Sequence, residues 1–392
     1  MILKLKNSLK NYEWGSRTFL SNAYNIHNPQ NLPMAELWIG INLQNPSKVY
    51  YNNKISLLSD VLKKDPYKLL GNAVAKYFGA LPFLFKILCI EHPLSIQVHP
   101  NKILAKKGFI RENIKLIPLD SYKRNYKDNN YKPELIYAMR PFHALIGFRN
   151  FSEITSLLNK IINIHPCISY FQRNPNRDNL LKLLKFLLFL KGKEKLLTLN
   201  LLKSCIKSLT IEPWKTINDI IMYYPQDNGL FLFLFLNNFF LKTGEAVFIP
   251  PGTPHSYLKG IAVEVCANSD NVIRAGLTSK YVDILDFLIN IKFEESSLEN
   301  FLIRPKKLKN ELQFTVTVND FIFAIHNLKD EYHIINQNSM AILFCIEGNF
   351  SIINNKIHIT MKSGESYFIS ADEMPITIKG NGCLARVFNK FD

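Results

Sequence analysis

The sequence predicts a mainly β protein with an inserted helical segment, and three observations carry that prediction. Residues 1 to about 100, and again about 300 to 392, read as short alternating strands and turns with few helical periods. Between them, from about 151 to 228, apolar residues fall at helical spacing over Ser152 to Ile162 and Asn179 to Leu190. Pro175, Gly192 and Pro213 break that segment. The third observation is an internal repeat. Leu241-Lys242-Thr243-Gly244-Glu245-Ala246-Val247-Phe248-Ile249 aligns without gaps with Met361-Lys362-Ser363-Gly364-Glu365-Ser366-Tyr367-Phe368-Ile369. The register holds to Leu258-Lys259-Gly260 against Ile378-Lys379-Gly380. Two all-β modules of one plan are implied. The first occupies residues 1–150 and 229–298, the helical insert 151–228, and the second module 299–392.

Composition narrows the function. At 392 residues and 47% hydrophobic content, the chain can bury the cores of two or three domains. The formal charge of +16 is scattered in singles and pairs such as Lys63-Lys64 and Lys306-Lys307, with no long basic block. Nucleic acid is therefore not an expected partner. The six cysteines form no C-x-x-C pair, and Cys89 and Cys345 lie in apolar runs. All six are expected to be buried thiols of a reducing compartment. Met1 to Lys6 alternates like a strand and lacks the apolar core of a signal peptide. The longest apolar run, Leu230 to Leu241, is interrupted by Asn237 and Asn238 and is too short to span a bilayer. A cytoplasmic monomer with no membrane partner is expected.

Along the chain, Tyr12-Glu13-Trp14-Gly15-Ser16 is a turn-rich aromatic segment. In Ala35 to Gly40, Glu36 and Trp38 share one strand face. A charge beside an indole can line a sugar pocket, although a tryptophan is more often simply packed. Leu81 to Ile90 is continuously apolar except for Lys86. A lone lysine there either snorkels at a sheet edge or meets a phosphate or carboxylate. In Ser95-Ile96-Gln97-Val98-His99-Pro100, Gln97 and His99 are two apart and point to one face. Glu134 enters an apolar strand directly after Pro133, with Lys132 two residues earlier.

The stretch from Gly244 to Lys280 organises the rest. Val247 to Ile249 runs into a turn stiffened by Pro250, Pro251 and Pro254 and loosened by Gly252, which aims His255 in one direction. Taken alone, this stretch serves equally for a surface-loop histidine. Glu264 then faces opposite to Val263 and Val265, and Asn268 to Gly276 is dense in polar groups, Asp270 and Arg274 among them. Together Gln97, His99, Glu134 and His255 make two imidazoles, a carboxylate and an amide oxygen. Such a set suits a catalytic Zn²⁺, and by ligand type alone it also admits Fe²⁺, Mn²⁺ or Co²⁺. Lys86, Lys132, Arg274 and Lys280 add a cationic group fit for a phosphorylated substrate. Pro375 stands where the first repeat has His255, so no metal is expected in the second module.

Five ordered blocks carry a resemblance to a known family. They are Leu81-Pro82-Phe83-Leu84-Phe85-Lys86, Ser95 to Lys102, Tyr126-x-Asp128-x-Asn130-x-Lys132-Pro133-Glu134, Pro251-Gly252-Thr253-Pro254-His255 and Ser269 to Gly276. The chain resembles the type I mannose-6-phosphate isomerases, strongly over residues 1 to about 295 and more weakly over the insert and the C-terminal third. The resemblance implies two cupin (jelly-roll-like) β-barrel modules and one bound zinc per chain. It also implies that mannose 6-phosphate and fructose 6-phosphate interconvert through a cis-enediol. It places Gln97, His99, Glu134 and His255 as the zinc ligands and Arg274 as the active-site arginine. Lys132, Glu264 and Asp270 border the substrate as catalytic candidates. Lys86, Ser95, Lys280, Trp14 and Glu36 are expected to contact the sugar or its phosphate. Two positions depart from the family pattern: Tyr131 stands where a histidine is usual, and Thr278-Ser279-Lys280 replaces Thr-Pro-Lys. The alternatives are an iron-dependent cupin oxygenase and a non-catalytic cupin that binds a metal or a sugar phosphate.

Overall fold

The structure is a computed structural model, and it describes residues 1–42, 44–161, 165–354 and 357–391. Ile162, which ends the first predicted helical run, and the C-terminal residue of the second module lie outside the described residues. In chain order the N-terminal part gives β1 (Ile2–Lys6), β2 (Ser8–Lys10), β3 (Glu36–Gly40), β4 (Lys48–Tyr51) and β5 (Lys54–Leu57). It continues with β6 (Phe83–Ile90), β7 (Ile96–Val98), β8 (Glu134–Ala138) and β9 (Phe142–Phe148). After the helical insert come β10 (Leu236–Leu241), β11 (Ala246–Ile249), β12 (His255–Ala267) and β13 (Ile273–Gly276). The C-terminal part supplies β14 (Lys306–Leu308), β15 (Glu311–Phe314), β16 (Ile322–Ile335) and β17 (Ala341–Asn354). It ends with β18 (Ile357–Lys362), β19 (Ser366–Ile369) and β20 (Ile376–Phe388).

β12 is the strand on which the first module turns. Its first half pairs with β7 and β9, and its second half with β6 and β8. One chain segment therefore belongs to two sheets, β2-β3-β6-β12-β8-β11 and β13-β7-β12-β9-β10. The exchange of partners falls beside Gly260, whose φ of +127° suits glycine. A Cβ there would lie 2.5 Å from the carbonyl oxygen of Pro141. Leu88, Ile136, Ala144, Ile146, Val247 and Tyr257 fill the space between the two sheets.

Strand alternation then decides which layer each residue serves. On β6, Phe83, Phe85, Ile87 and Cys89 join Phe323, Ile325, Phe344 and Val387 in a core shared with the C-terminal module. Ile96 and Val98 of β7 pack on the helical insert instead. That insert contains helices Phe151–Asn159 and Arg177–Phe189, capped by the side chains of Asn150 and Asn176.

The C-terminal module repeats the plan. β20 lies between β16 and β17 as β12 lies between β6 and β8, and β19 pairs with β17 as β11 does with β8. The repeated turn recurs with the same backbone conformation and the same hydrogen bond. Gly244 and Gly364 have φ of +91° and +83°. The side chains of Glu245 and Glu365 accept from the backbone N–H of Lys242 and Lys362 at 2.8 and 2.9 Å.

Three features differ from simple expectation. β1 and β4, from the N-terminal part, join the sheet of the second module through Ile2↔Ile369 and Leu5↔Val49. Neither strand order closes into a ring among the described residues, so each module is a set of sheets sharing long strands rather than a closed barrel. Cys205 is exposed on helix Gly192–Ile206, and Cys167 and Cys383 are half-buried. Only Cys89, Cys266 and Cys345 are buried thiols. No helix among the described residues is long and apolar enough to cross a membrane.

Candidate active site

β7 and β12 place two predicted ligands directly opposite one another, His255 against Gln97. The proline turn is tied to the same strand, because the Gly252 N–H donates to the carbonyl of His99 at 2.9 Å. Glu134 opens β8 and pairs with Cys266 of β12, which brings its carboxylate across the sheet. His99 Nε2 lies 3.1 Å from Glu134 Oε1, and His255 Nε2 lies 3.4 Å from Glu134 Oε2. Gln97 Nε2 is 3.2 Å from His255 Nε2, and turning the amide over puts its carbonyl oxygen there instead. The two imidazoles and the carboxylate are fully buried.

The orientation of both rings is settled by carbonyls. His99 Nδ1 lies 2.6 Å from the Asn271 carbonyl, and His255 Nδ1 lies 2.9 Å from the Thr253 carbonyl. A carbonyl only accepts, so each Nδ1 carries the proton and each Nε2 lone pair faces inward. His99 Nε2 is buried without a hydrogen-bond partner, and beyond it Glu134 Oε1 meets the Lys132 ammonium. Burial above all, aided by Lys132, pushes the His99 imidazole down to about 4. A lone pair thus faces a carboxylate oxygen, a pairing that a divalent cation stabilises. The donor set and the orphaned His99 nitrogen fit Zn²⁺.

Beside it runs a buried line of alternating charge. Lys132 Nζ is 2.9 Å from Glu134 Oε1, and Lys86 Nζ is 2.7 Å from Glu264 Oε1. Carboxylate oxygens of Glu134 and Glu264 and the Cys266 thiol lie within 4.8 Å of one another. Burial works to raise the Glu134 carboxyl, but the Lys132 ammonium outweighs it and holds it well below the usual range. Burial likewise works against the Lys86 ammonium, and Glu264 and Glu36 outweigh it. The carboxylate alternative for Lys86 is the one the fold realises.

Arg274 pairs with Gln97 across β13 and β7, so the two share a face beside the predicted metal ligands. Its guanidinium has no ion pair or side-chain hydrogen bond among the described residues, and Nε is buried without a partner. Burial pulls its pKa down. A half-buried, unpaired guanidinium is a receptor for an anion. Lys280 is exposed, with its ammonium 4.7 Å over the ring of Tyr12. Asp270 accepts from Asn42 Nδ2 at 2.9 Å, and its backbone N–H donates to Asp128 at 2.8 Å. Glu36 is buried and accepts from the indole of Trp38, over which the Lys86 ammonium lies at 5.1 Å. Trp14 stacks on Tyr12 at 5.7 Å and packs against the apolar interior. Ser95 is half-buried ahead of β7 with no side-chain hydrogen bond among the described residues.

Three residues at the site escaped the sequence argument. Tyr257 donates to Glu134 Oε2 at 2.7 Å; its spacing of two from His255 was the available signal. Tyr12, whose ionisation is suppressed by burial and by Glu36, stands among Glu36, Lys86, Asp270 and Arg274. Neither Tyr12 nor Asn42 announces itself by pattern, since both sit in turns brought close by folding. Tyr131 hydrogen-bonds to Asp320 of the second module.

Comparison with known proteins places the chain in a family. Residues 2–151 match the family model for the catalytic domain of type I phosphomannose isomerase, and residues 310–389 that for the mannose-6-phosphate isomerase cupin domain. The chain is 50% identical over 388 residues to mannose-6-phosphate isomerase of Escherichia coli K12, covering 99% of both. It is similar to a zinc-bound holo structure of mannose 6-phosphate isomerase, with a TM-score of 0.96, 48% identity and full coverage of both chains. It is equally similar (TM-score 0.96, 48% identity, full coverage of both) to the Salmonella typhimurium enzyme bound to fructose 6-phosphate and zinc. Both family models and the full-length similarity agree: the chain belongs to the type I mannose-6-phosphate isomerase family.

Proposed function

We propose that the chain is a zinc-dependent aldose–ketose isomerase that interconverts mannose 6-phosphate and fructose 6-phosphate. The convergence of His99, Glu134 and His255 on one point, with Arg274 unpaired beside Gln97, carries the reading. Gln97, His99, Glu134 and His255 would hold the zinc. When bound, zinc polarises the substrate oxygens and stabilises the enediolate charge that makes the C2 proton removable.

The remaining work falls to the chain's own side chains. Arg274 and Lys280 offer cations to the phosphate or to the developing oxyanion. Lys132, held by Glu134, and Glu264, held by Lys86, are an ammonium and a carboxylate within one buried cluster. Such a pair can give and take the protons of ring opening and C2-to-C1 transfer. Lys132 is assigned to proton transfer, and Asp270 and Glu36 to the sugar hydroxyls. Burial of the ligand set excludes bulk water from an enediol. Free buried thiols at Cys89, Cys266 and Cys345 support a reducing, cytoplasmic setting.

A coupled assay on mannose 6-phosphate, run with and without chelator alongside zinc analysis, tests this directly. Turnover should vanish with the metal and return with zinc. Activity indifferent to chelation and metal content would sink the assignment. The same experiment separates the two alternatives, since an oxygenase would require iron and a binding module would not turn over.

A further inference from the structure

The second module carries a polar cluster of its own. Glu311 on β15, His326 and His333 on β16 and Arg386 on β20 gather at a cavity of about 1140 Å³, which Glu311, His333 and Arg386 line. His326 is fully buried, and neither of its ring nitrogens has a hydrogen-bond partner. Two unsatisfied buried nitrogens on one ring are costly unless something absent from the chain meets them. Glu311 Oε2 lies 3.9 Å from His326 Nδ1 and 3.6 Å from His333 Nε2. The two rings stand 4.9 Å apart.

The repeat makes this location meaningful. Continuing its register, Leu384 takes the place of Glu264. His326, the partner of Leu384 on β16, then takes that of Lys86, the partner of Glu264 on β6. The cluster therefore occupies the face of the second module that corresponds to the catalytic face of the first. Its composition matches too: two imidazoles, one carboxylate and one cation on that carboxylate. Arg386 donates to Glu311 Oε1 at 2.7 Å, as Lys132 stands 2.9 Å from Glu134 Oε1. In both clusters the cation takes one carboxylate oxygen, and an outer partner of that kind orients a ligating carboxylate. Arg386 is itself fixed by Gln337 Oε1 at 2.9 Å.

We infer that Glu311, His326 and His333 form a second divalent-metal site, in the C-terminal module, for zinc or a chemically similar transition ion. Pro375 rules out a copy of the first site, and these ligands come from other strand positions. Two nitrogens and one oxygen at these separations suit Zn²⁺ or Co²⁺ rather than Ca²⁺ or Mg²⁺, which take oxygen ligands. Glu311 and His333 line the cavity, so the ion would be exchangeable.

The test is metal content after equilibrium dialysis of the full chain against buffered zinc. The wild type should hold a second equivalent of zinc per chain, and His333→Ala should lose it while keeping isomerase turnover. A His99→Ala/His255→Ala chain should lose the first equivalent and keep the other. In that background Co²⁺ should give visible absorption that disappears with His333→Ala. His333 is only partly buried, so its replacement spares the core; Glu311→Gln serves as the second variant. A wild type with a single equivalent, or a second equivalent untouched by His333→Ala and Glu311→Gln, overturns the inference. Either result leaves the isomerase assignment standing, because turnover and the first zinc are read separately.

Discussion

β12 of the first module begins at His255 and carries Glu264; β20 of the second follows Pro375 and carries Leu384 at the matching place. Around both, the same glycine turn, the same glutamate-to-backbone bond and the same strand pairings recur. The shared parts are those that backbone geometry requires, namely a positive φ and a satisfied N–H. The unshared parts are the positions of the buried ions, which a fold tolerates only when each has a partner. The first module keeps Lys86 with Glu264 and Lys132 with Glu134, whereas the second replaces most of that line with an apolar interior. A β scaffold is thus repeated, while the chemistry depends on a few positions the scaffold does not need.

Erasing the difference at His255 should have the largest effect. His255→Ala makes the first module resemble the second at that point. Turnover should fall by roughly 10³ or more, with loss of the first zinc. Metal analysis with the coupled assay reads both, and retained zinc with normal turnover would remove His255 from the site. Next comes Lys132→Ala, expected to lower turnover by roughly 10²–10⁴ while zinc stays bound. Near-normal rate, or loss of zinc, would exclude Lys132 from proton transfer.

The third substitution writes the second module's residue into the first. Glu264→Leu leaves Lys86 buried without its carboxylate, a loss of about 3–5 kcal/mol in denaturant unfolding. Adding Lys86→Met should return most of that stability but not the activity. If the single variant is as stable as the wild type, the Lys86–Glu264 pair is not what holds these strands. The smallest effect is expected from Tyr257→Phe, which removes one hydrogen bond from Glu134. Zinc affinity should weaken about 10-fold, read by chelator competition.

How far the site could be read from sequence depended on locality. Gln97 and His99 were visible because a two-residue spacing puts both on one strand face, and the structure sends Ile96 and Val98 the other way. Lys132 and Glu134 were visible for the same reason, with Pro133 holding the extended geometry. For Lys86 the chain showed that a buried ammonium needed an anion, yet not which one, because Glu264 is far along the sequence and adjacent only across β12 and β6. Tyr12 and Asn42 left no trace, since a turn residue has no periodicity from which to infer its neighbours.

By itself the amino-acid order determined the strand alternation, the helical insert, the repeated glycine turn and the ligand types available. These follow from backbone sterics and side-chain period, which act over a few residues. Tertiary structure decided the rest: β12 serves two sheets, β1 crosses to the second module, and Tyr131 reaches Asp320. It also decided that a second set of imidazoles and a carboxylate would meet around His326. Such meetings depend on strand register and layer packing, which bring together residues whose separation along the chain says nothing about their distance.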